Sequence, residues 1–510
     1  MDTGLSTGSK KGRRVLLATI LASSTAFLIG SAVPVALPAI QAHFDTSLAG
    51  IQWVINGFLV SLASLLLIGG SLGDHFGRKR IFSWGIIIFA AGASLSGFAW
   101  SISWLIAFQA LQGAGAALMV PQSLALISGS FRESQRGQAI GLWAGLSGGV
   151  VALAPLLSGW LVDTFSWRAV FFLVVPLSLL ALAVAIRSVS EHCAARPRKL
   201  DWAGTLFIFL GLVGIAYGLV SGPAAGWQSL RVIISLAGGI AALAFFVVAE
   251  RYQREPLVPL QVFSNPLVKG ANLVTLGLYF ALNGVIVYFV LNLQQVQGFS
   301  PTLAGLALLP TIILITVLSA PAGALSDRIG PRKQMIAGPL LVAAGSALLI
   351  TGNADARYLL EFMPGLVLLG IGMALVIAPL TRSALAVEPE FTGAASGVNN
   401  AVSRVAALLA VAVLGVVMVS FFASNLAGRL ENSPLDEEER AVILDQADRL
   451  GGIDIPAGFT EEARAAAERI IRESFVYAFR WSMAVTAAVA LSAAAVSFSL
   501  IRDPPRKLPP

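Results

Sequence analysis

Apolar stretches of about twenty residues alternate with short polar ones along this chain, and the alternation repeats fourteen times. A bilayer core about 30 Å thick is crossed by roughly 20 apolar residues in a helix, so each stretch reads as a membrane span. The limits are 15–40, 49–71, 81–99, 102–128, 139–162, 168–187, 202–221, 231–250, 268–293, 302–325, 335–352, 358–380, 396–422 and 476–501. Lipid offers no partners to backbone N–H and C=O groups, which leaves the α-helix as the conformation for each. The pattern predicts an all-α membrane protein with 14 transmembrane helices. The first stretch follows Lys10, Lys11, Arg13 and Arg14, as a secretory leader would. It exceeds the ~7–15 apolar residues of a leader, and further spans follow, so it is read as a retained helix.

Composition agrees. Of 510 residues, 56% are hydrophobic and 12% charged, and mean hydropathy is +0.81. A soluble domain carries about 25% charged residues, so a water-soluble enzyme and a disordered chain are both excluded. The net charge of +7 points to the membrane rather than to nucleic acid, because Lys and Arg collect in alternate loops and set orientation. With the N-terminus in the cytoplasm, the cytoplasmic segments hold 23 Lys/Arg and the six short outer loops hold 3. A multi-pass protein of the plasma (inner) membrane with both termini cytoplasmic is expected. One cysteine and three histidines leave no disulfide framework and no metal cluster. No nucleotide loop is present, so neither a cofactor nor ATP drive is expected.

Two loops repeat. Gly70-Ser-Leu72-Gly-Asp74-His-Phe-Gly77-Arg78-Lys79 follows span 2, and Gly323-Ala-Leu325-Ser-Asp327-Arg-Ile-Gly330-Pro-Arg332 follows span 10. Parallel six-helix repeats mark one large transporter architecture. The repeat divides the chain into a basic tail (1–14), a six-helix bundle (15–187), an inserted helix pair (201–250), a second bundle (267–501) and a tail (502–510). An anion at Asp74 opposes the dipole of its own helix end, so it is expected to serve another helix, by capping or by pairing with an Arg. Gly77 permits the tight turn, and Arg78, Lys79 and Arg80 suit an anionic lipid surface.

On these motifs the chain resembles the major facilitator superfamily, and more narrowly its fourteen-helix drug:proton antiporter branch. Val35-Ala-Leu-Pro38, Leu111-Gln112-Gly113, Ser166-Trp167-Arg168 and Ala395-Ser-Gly-Val-Asn-Asn400 match less specific stretches of the same family. The resemblance implies alternating access, with a substrate held near the midplane and the Gly70/Gly323 loops acting as conformational latches: Gly70, Asp74, Gly77, Arg78 and Lys79, and Gly323, Asp327, Gly330 and Arg332. It also links to proton coupling an acidic position occupied here by Ile29 and an arginine position occupied here by Gln109. The helix 5 antiporter motif is altered to Ala154-Pro155-Leu-Leu-Ser158-Gly159.

Between their ends the spans contain no Asp, Glu or His, and Arg404 is the one charge well inside a span. Such a residue marks function by default; it serves either as an anion or carbonyl partner or as a snorkelling side chain. Asn272, Thr275, Tyr279 and Asn283 share one face of span 9, which lines a cavity or bonds to a neighbouring helix. Gln109 with Gln112 and Trp53 with Asn56 are further cavity candidates. These uncharged groups suit an amphipathic organic molecule, with protons as an open second partner. Gly141, Gly145 and Gly149, with Pro155 and Gly159, are expected to pack helix 5 closely. Gly145-Leu-Ser147-Gly-Gly149 resembles a hydrolase elbow, but no preceding strand, His or Asp could activate Ser147.

The polar segment 423–475 holds 12 Asp/Glu and 6 Arg. Amphipathic helices are expected over Asp436–Arg449 and Thr460–Arg472, either resting on the outer mouth or serving as a solvated connector. The whole pattern reads as a monomeric secondary transporter that exports amphipathic organic compounds. A facilitator or carrier without proton exchange is the alternative, and a membrane enzyme or sensor is less consistent. With no titratable group mid-membrane, transport of a neutral substrate is expected to depend weakly on a pH gradient.

Topology is directly testable. Cys193 lies between spans 6 and 7 beside Arg196, Arg198 and Lys199. It should react with an impermeant thiol reagent only after permeabilisation; labelling in intact cells would overturn the N-inside count.

Overall fold

A computed structural model describes residues 5–191, 200–253, 256–258, 260–388 and 391–502. Cys193 lies outside the described residues, as does the side chain of Asp327. The described residues form helices joined by short turns, with no strand among them. Fourteen helices are long and apolar enough to cross a membrane. In order they are α1 (Lys10–Phe44), α2 (Leu48–Phe76), α3 (Arg78–Gly97), α4 (Ile102–Ser130), α5 (Glu133–Thr164), α6 (Trp167–Ser188), α7 (Trp202–Ala225), α8 (Leu230–Tyr252) and α9 (Pro266–Gln295). The tenth span is broken into α10 (Pro301–Ala307) and α11 (Leu309–Ile329). Then come α12 (Pro331–Leu348), α13 (Met363–Ala384), α14 (Thr392–Glu431), the short α15 (Glu437–Asp445) and α16 (Glu461–Leu500).

Local chemistry sets the ends. Ser9 accepts a hydrogen bond from Gly12 N at 3.0 Å, and Asp201 accepts one from Gly204 N at 2.8 Å, each satisfying an orphan amide of a first turn. At the basic ends of the spans, the α2–α3 and α11–α12 turns are made by Gly77 (φ +102°) and Gly330 (φ +86°). The repeat read from the loops is therefore a repeat in backbone geometry.

Contacts divide the chain into two compact units. The first comprises Met1–Leu257 with Phe299–Leu306, so the inserted pair α7–α8 groups with it. Its helices approach through glycines: a Cβ at Gly113 would run into the Phe58 carbonyl, and one at Gly69 into that of Ala117. Lipid gives no hydrophobic drive for helices to associate, so such close backbone approach carries the packing. Within this unit α5 is used unevenly. Near its C-terminal end Gly159 meets the Pro301 carbonyl, Gly305 meets that of Pro155, and Asp163 accepts a hydrogen bond from Thr302 N at 2.8 Å. Toward its start, the expected close packing at Gly141, Gly145 and Gly149 does not occur; a Cβ at any of them would meet nothing within 4 Å. The buried positions Ala139, Ser147, Ala154 and Ser158 lie on another face. Small-residue spacing permits close approach without supplying a partner.

The second unit comprises Val258–Gly298 and Ala307–Pro510. Reciprocal glycines join α12 to α13: added Cβ atoms at Gly338 and Gly372 would each lie 2.6 Å from the other's carbonyl oxygen. The Tyr288 hydroxyl donates to Val411 O at 2.6 Å, tying α9 to α14. The polar insert belongs to this unit and is folded. An Asp436–Glu439 capping box starts α15. Ile443, Leu450 and Ile453 are buried. Arg472 donates to Val296 O at 3.0 Å and to Asp355 at 2.9 Å. The second expected amphipathic helix is no separate element. It forms the first turns of α16, capped by Thr460, because nothing between Arg472 and the membrane span interrupts helical backbone.

Two glycine substitutions separate packing from propensity. Gly113→Ala should destabilise the detergent-solubilised protein by about 1–3 kcal/mol through overpacking. Gly141→Ala should leave thermal unfolding unchanged or raise it, since alanine gains up to about 1 kcal/mol in a helix. Equal effects would contradict the packing described here.

Candidate functional site

The polar face of α9 meets α14 inside the second unit. Asn272 and Thr275 are buried, and each donates to a carbonyl of its own helix, Val268 O at 2.9 Å and Ala271 O at 3.0 Å. Their side-chain oxygens accept from Asn399 of α14. Its amide nitrogen donates to Asn272 Oδ1 at 3.2 Å and to Thr275 Oγ1 at 2.8 Å. Further along α9, Tyr279 and Asn283 are half-buried, and Asn283 donates to Tyr279 O at 2.8 Å. Arg404 of α14 is half-buried as well. The stripe thus has two parts. One closes on itself as an interhelical hydrogen-bond network, and the other, Tyr279–Asn283–Arg404, is incompletely covered. A polar face of this kind in a membrane is costly against hydrocarbon.

Asn399 was not singled out from the sequence. Two adjacent asparagines in the first turns of an apolar span are a signal, but the residues alone do not show which of the pair reaches α9. Asn400 is exposed and bonds to its own helix at Ser396 O, 3.0 Å away.

The candidates of the first unit separate. Gln109 donates to Ser96 of α3 at 3.0 Å and to Gln112 at 2.7 Å, and both glutamines are buried. This pair serves the α3–α4 seam. Asn56 is fully buried with neither amide atom hydrogen-bonded. Trp53 packs against Tyr217 of the inserted pair, ring centroids 6.3 Å apart. A different cluster joins α1, α4 and α5: Trp143 Nε1 donates to Ser23 Oγ at 3.0 Å, Ser23 donates to Ser123 at 2.9 Å, and Phe27 meets Trp143 edge-on at 6.4 Å. A mid-span tryptophan needs a partner for its N–H, and that need was the available clue.

At the first latch, Arg78 donates to Asp74 Oδ1 at 2.9 and 2.8 Å and to Ala125 O of α4 at 3.2 Å. Asp74 therefore pairs with the arginine that opens the next helix. The cap of α3 comes from Glu191, whose two carboxylate oxygens accept from Lys79 N at 2.9 Å and Arg80 N at 3.2 Å. A Cβ at Gly77 would lie 2.8 Å from that carboxylate, so the glycine supplies both the turn and the room for the cap. Gly70, by contrast, faces open space, and its neighbour Gly69 makes the close approach. At the second latch, Gly323 faces Ala378, and Arg332 donates to Phe498 O at 3.0 Å while lying 5.2 Å from that ring. No group of three or more potential metal ligands occurs among the described residues.

The family model described as Major Facilitator Superfamily matches residues 17–411. The chain is 33% identical to the "Tetracenomycin C resistance and export protein" of Streptomyces glaucescens, over 97% of this chain and 93% of that one. It is 32% identical to the "Multidrug resistance protein Stp" of Mycobacterium tuberculosis, over 93% and 89%. The "Puromycin resistance protein pur8" of Streptomyces alboniger is 34% identical over 81% and 83%. Among solved structures, an inward-facing bacterial homolog of the human lysosomal transporter Spinster aligns with a TM-score of 0.67 at 20% identity, covering 96% of this chain and 97% of that one. That likeness concerns the fold alone.

The Asp74–Arg78 pair is half-exposed, and a pair of this kind contributes about 0–1 kcal/mol. Asp74→Asn should therefore leave the amount of folded protein in the membrane nearly unchanged while lowering export of a reporter compound severalfold. Unchanged export at equal expression would reduce the pair to an orientation signal.

Proposed function

The chain belongs to the Major Facilitator Superfamily, and from that premise we propose that it exports amphipathic organic compounds across the plasma membrane by alternating access. The observation that carries this reading is the half-buried polar side chains Tyr279 and Asn283 of α9 and Arg404 of α14 in otherwise apolar spans. Three partly covered polar side chains inside a membrane bind something that is itself partly polar. The relatives' names, which speak of resistance to and export of antibiotics, support an organic cargo over an inorganic ion.

In this reading the protein acts as a monomer in contact with membrane lipid, with both termini in the cytoplasm. The loops at Gly77 and Gly330 bias which side is open. A carrier without proton exchange is the second reading, and one observation favours it: the fourteen apolar stretches of the sequence contain no Asp, Glu or His away from their ends. Glu361, at the edge of its span, accepts a hydrogen bond from Arg357 N at 3.0 Å, which gives that carboxylate a capping role.

The test is an accumulation assay in efflux-deficient cells over a panel of dyes and antibiotics, with and without an uncoupler. Expression should lower the steady-state content of at least one amphipathic compound severalfold. An unchanged content across the whole panel, with the protein present in the membrane, would defeat the export reading.

A further inference from the structure

At the basic end of the spans, the first turns of α3 border a cavity of about 380 Å³, within the roughly 300–1,000 Å³ of small-ligand sites. It is lined by Lys79, Arg80, Ser83, Trp84, Ile87 and Glu191. Arg80, Ser83, Trp84 and Ile87 recur at helical spacing and share one face of α3. The face is graded. Charge stands at the first turn, a hydroxyl one turn on, and then an indole and an aliphatic chain. Trp84 is 52% exposed and Ile87 39%, so the far end of the gradient is bare apolar surface.

The charges at the cavity are not equally engaged. The two Glu191 oxygens accept from the backbone amides of Lys79 and Arg80, and the Lys79 ammonium donates to Ile186 O at 2.8 Å. That ammonium keeps two further N–H donors. The Arg80 side chain is exposed, and among the described residues nothing bonds to its guanidinium or to the Ser83 hydroxyl. A guanidinium presents five donors in a planar fork that matches a phosphate.

We propose that this cavity seats one anionic phospholipid, its phosphate on Arg80 and Lys79, its glycerol at Ser83 and an acyl chain along Trp84 and Ile87. The depth agrees. Arg80 and Ile87 are about 10 Å apart along a helix that rises 1.5 Å per residue, and a headgroup layer is roughly 5–7 Å deep on each side of the hydrocarbon. Donors at phosphate level and an apolar wall at carbon level therefore occur in the right order, with a tryptophan at the boundary where such rings settle. The charge count selects the headgroup. Two cations face one carboxylate, and that carboxylate is held by the helix amides, so the cavity complements a headgroup of net negative charge. A general attraction of basic loops for an anionic surface needs no cavity; a graded cavity gives one lipid a defined place. The site lies in the first unit and does not depend on which compound is carried.

The test uses full-length protein, delipidated in a neutral maltoside detergent, with lipid retention read by native mass spectrometry and thermal unfolding read in parallel. The probes are dioleoylphosphatidylglycerol, dioleoylphosphatidylethanolamine with the same chains, and glycerol 3-phosphate with none. Phosphatidylglycerol should be retained at one molecule per protein and raise the unfolding temperature, phosphatidylethanolamine should bind at least tenfold more weakly, and glycerol 3-phosphate should displace nothing. Arg80→Gln should weaken phosphatidylglycerol about tenfold, the scale of a lost hydrogen bond to a charged group. Arg14→Gln, which removes the same charge from the start of α1, should not. The comparison of lipids on the unaltered protein stands even if the Arg80 variant misfolds. Equal retention of the two lipids, or equal losses in the two variants, would reduce the effect to diffuse surface charge and overturn the proposal. Displacement by glycerol 3-phosphate would show a site for free phosphate and overturn it as well.

Discussion

Hydrocarbon hydrates nothing, and that constraint organises the whole protein. Each backbone amide must be satisfied inside its own helix, and most polar side chains follow the same rule. Thr19, Ser64, Ser346 and Thr486 each donate to a carbonyl four residues back. A polar residue that bonds backwards in this way is neutral as far as a neighbouring helix is concerned. Helix association then falls to backbone proximity, which the glycines at Gly69, Gly113, Gly338 and Gly372 supply. The polar residues that escape the rule become conspicuous. Asn399 reaches across from α14 to α9, and Arg404 lies half-buried within the same helix α14.

The same constraint gives the candidate site its character. A stripe of four polar positions on α9 is divided by what α14 places opposite it. Where Asn399 sits, the stripe is closed and structural. Where Tyr279 and Asn283 sit, it is half-buried.

At the basic end of the spans the governing interaction is of another kind. Arg78 and Glu191 divide the work around the α2–α3 turn. The arginine neutralises Asp74 and holds α4 through Ala125 O, while the glutamate closes the first turn of α3. Gly77 is required twice, for its backbone angle and for the space next to Glu191. Both interactions are partly exposed to solvent, where they are weak, and weak contacts at a turn are ones that a conformational change can remake.

The sequence by itself determined the number of helices, their approximate limits and the internal repeat, because span length and loop charge are local properties set by the thickness and chemistry of a bilayer. It also identified Arg404 and the α9 stripe, since a polar residue among twenty apolar ones stands out without any structure. Tertiary structure alone decided which neighbour each polar face meets. Gln109 and Gln112 turn to Ser96 of α3, Trp53 to the inserted pair, and the Gly141–Gly149 face to open space. The cap on α3 comes from Glu191, more than a hundred positions along the chain from the amides it serves. Helical periodicity fixes which residues share a face. The helix that lies opposite that face is chosen by packing across the whole unit, and no local pattern encodes it.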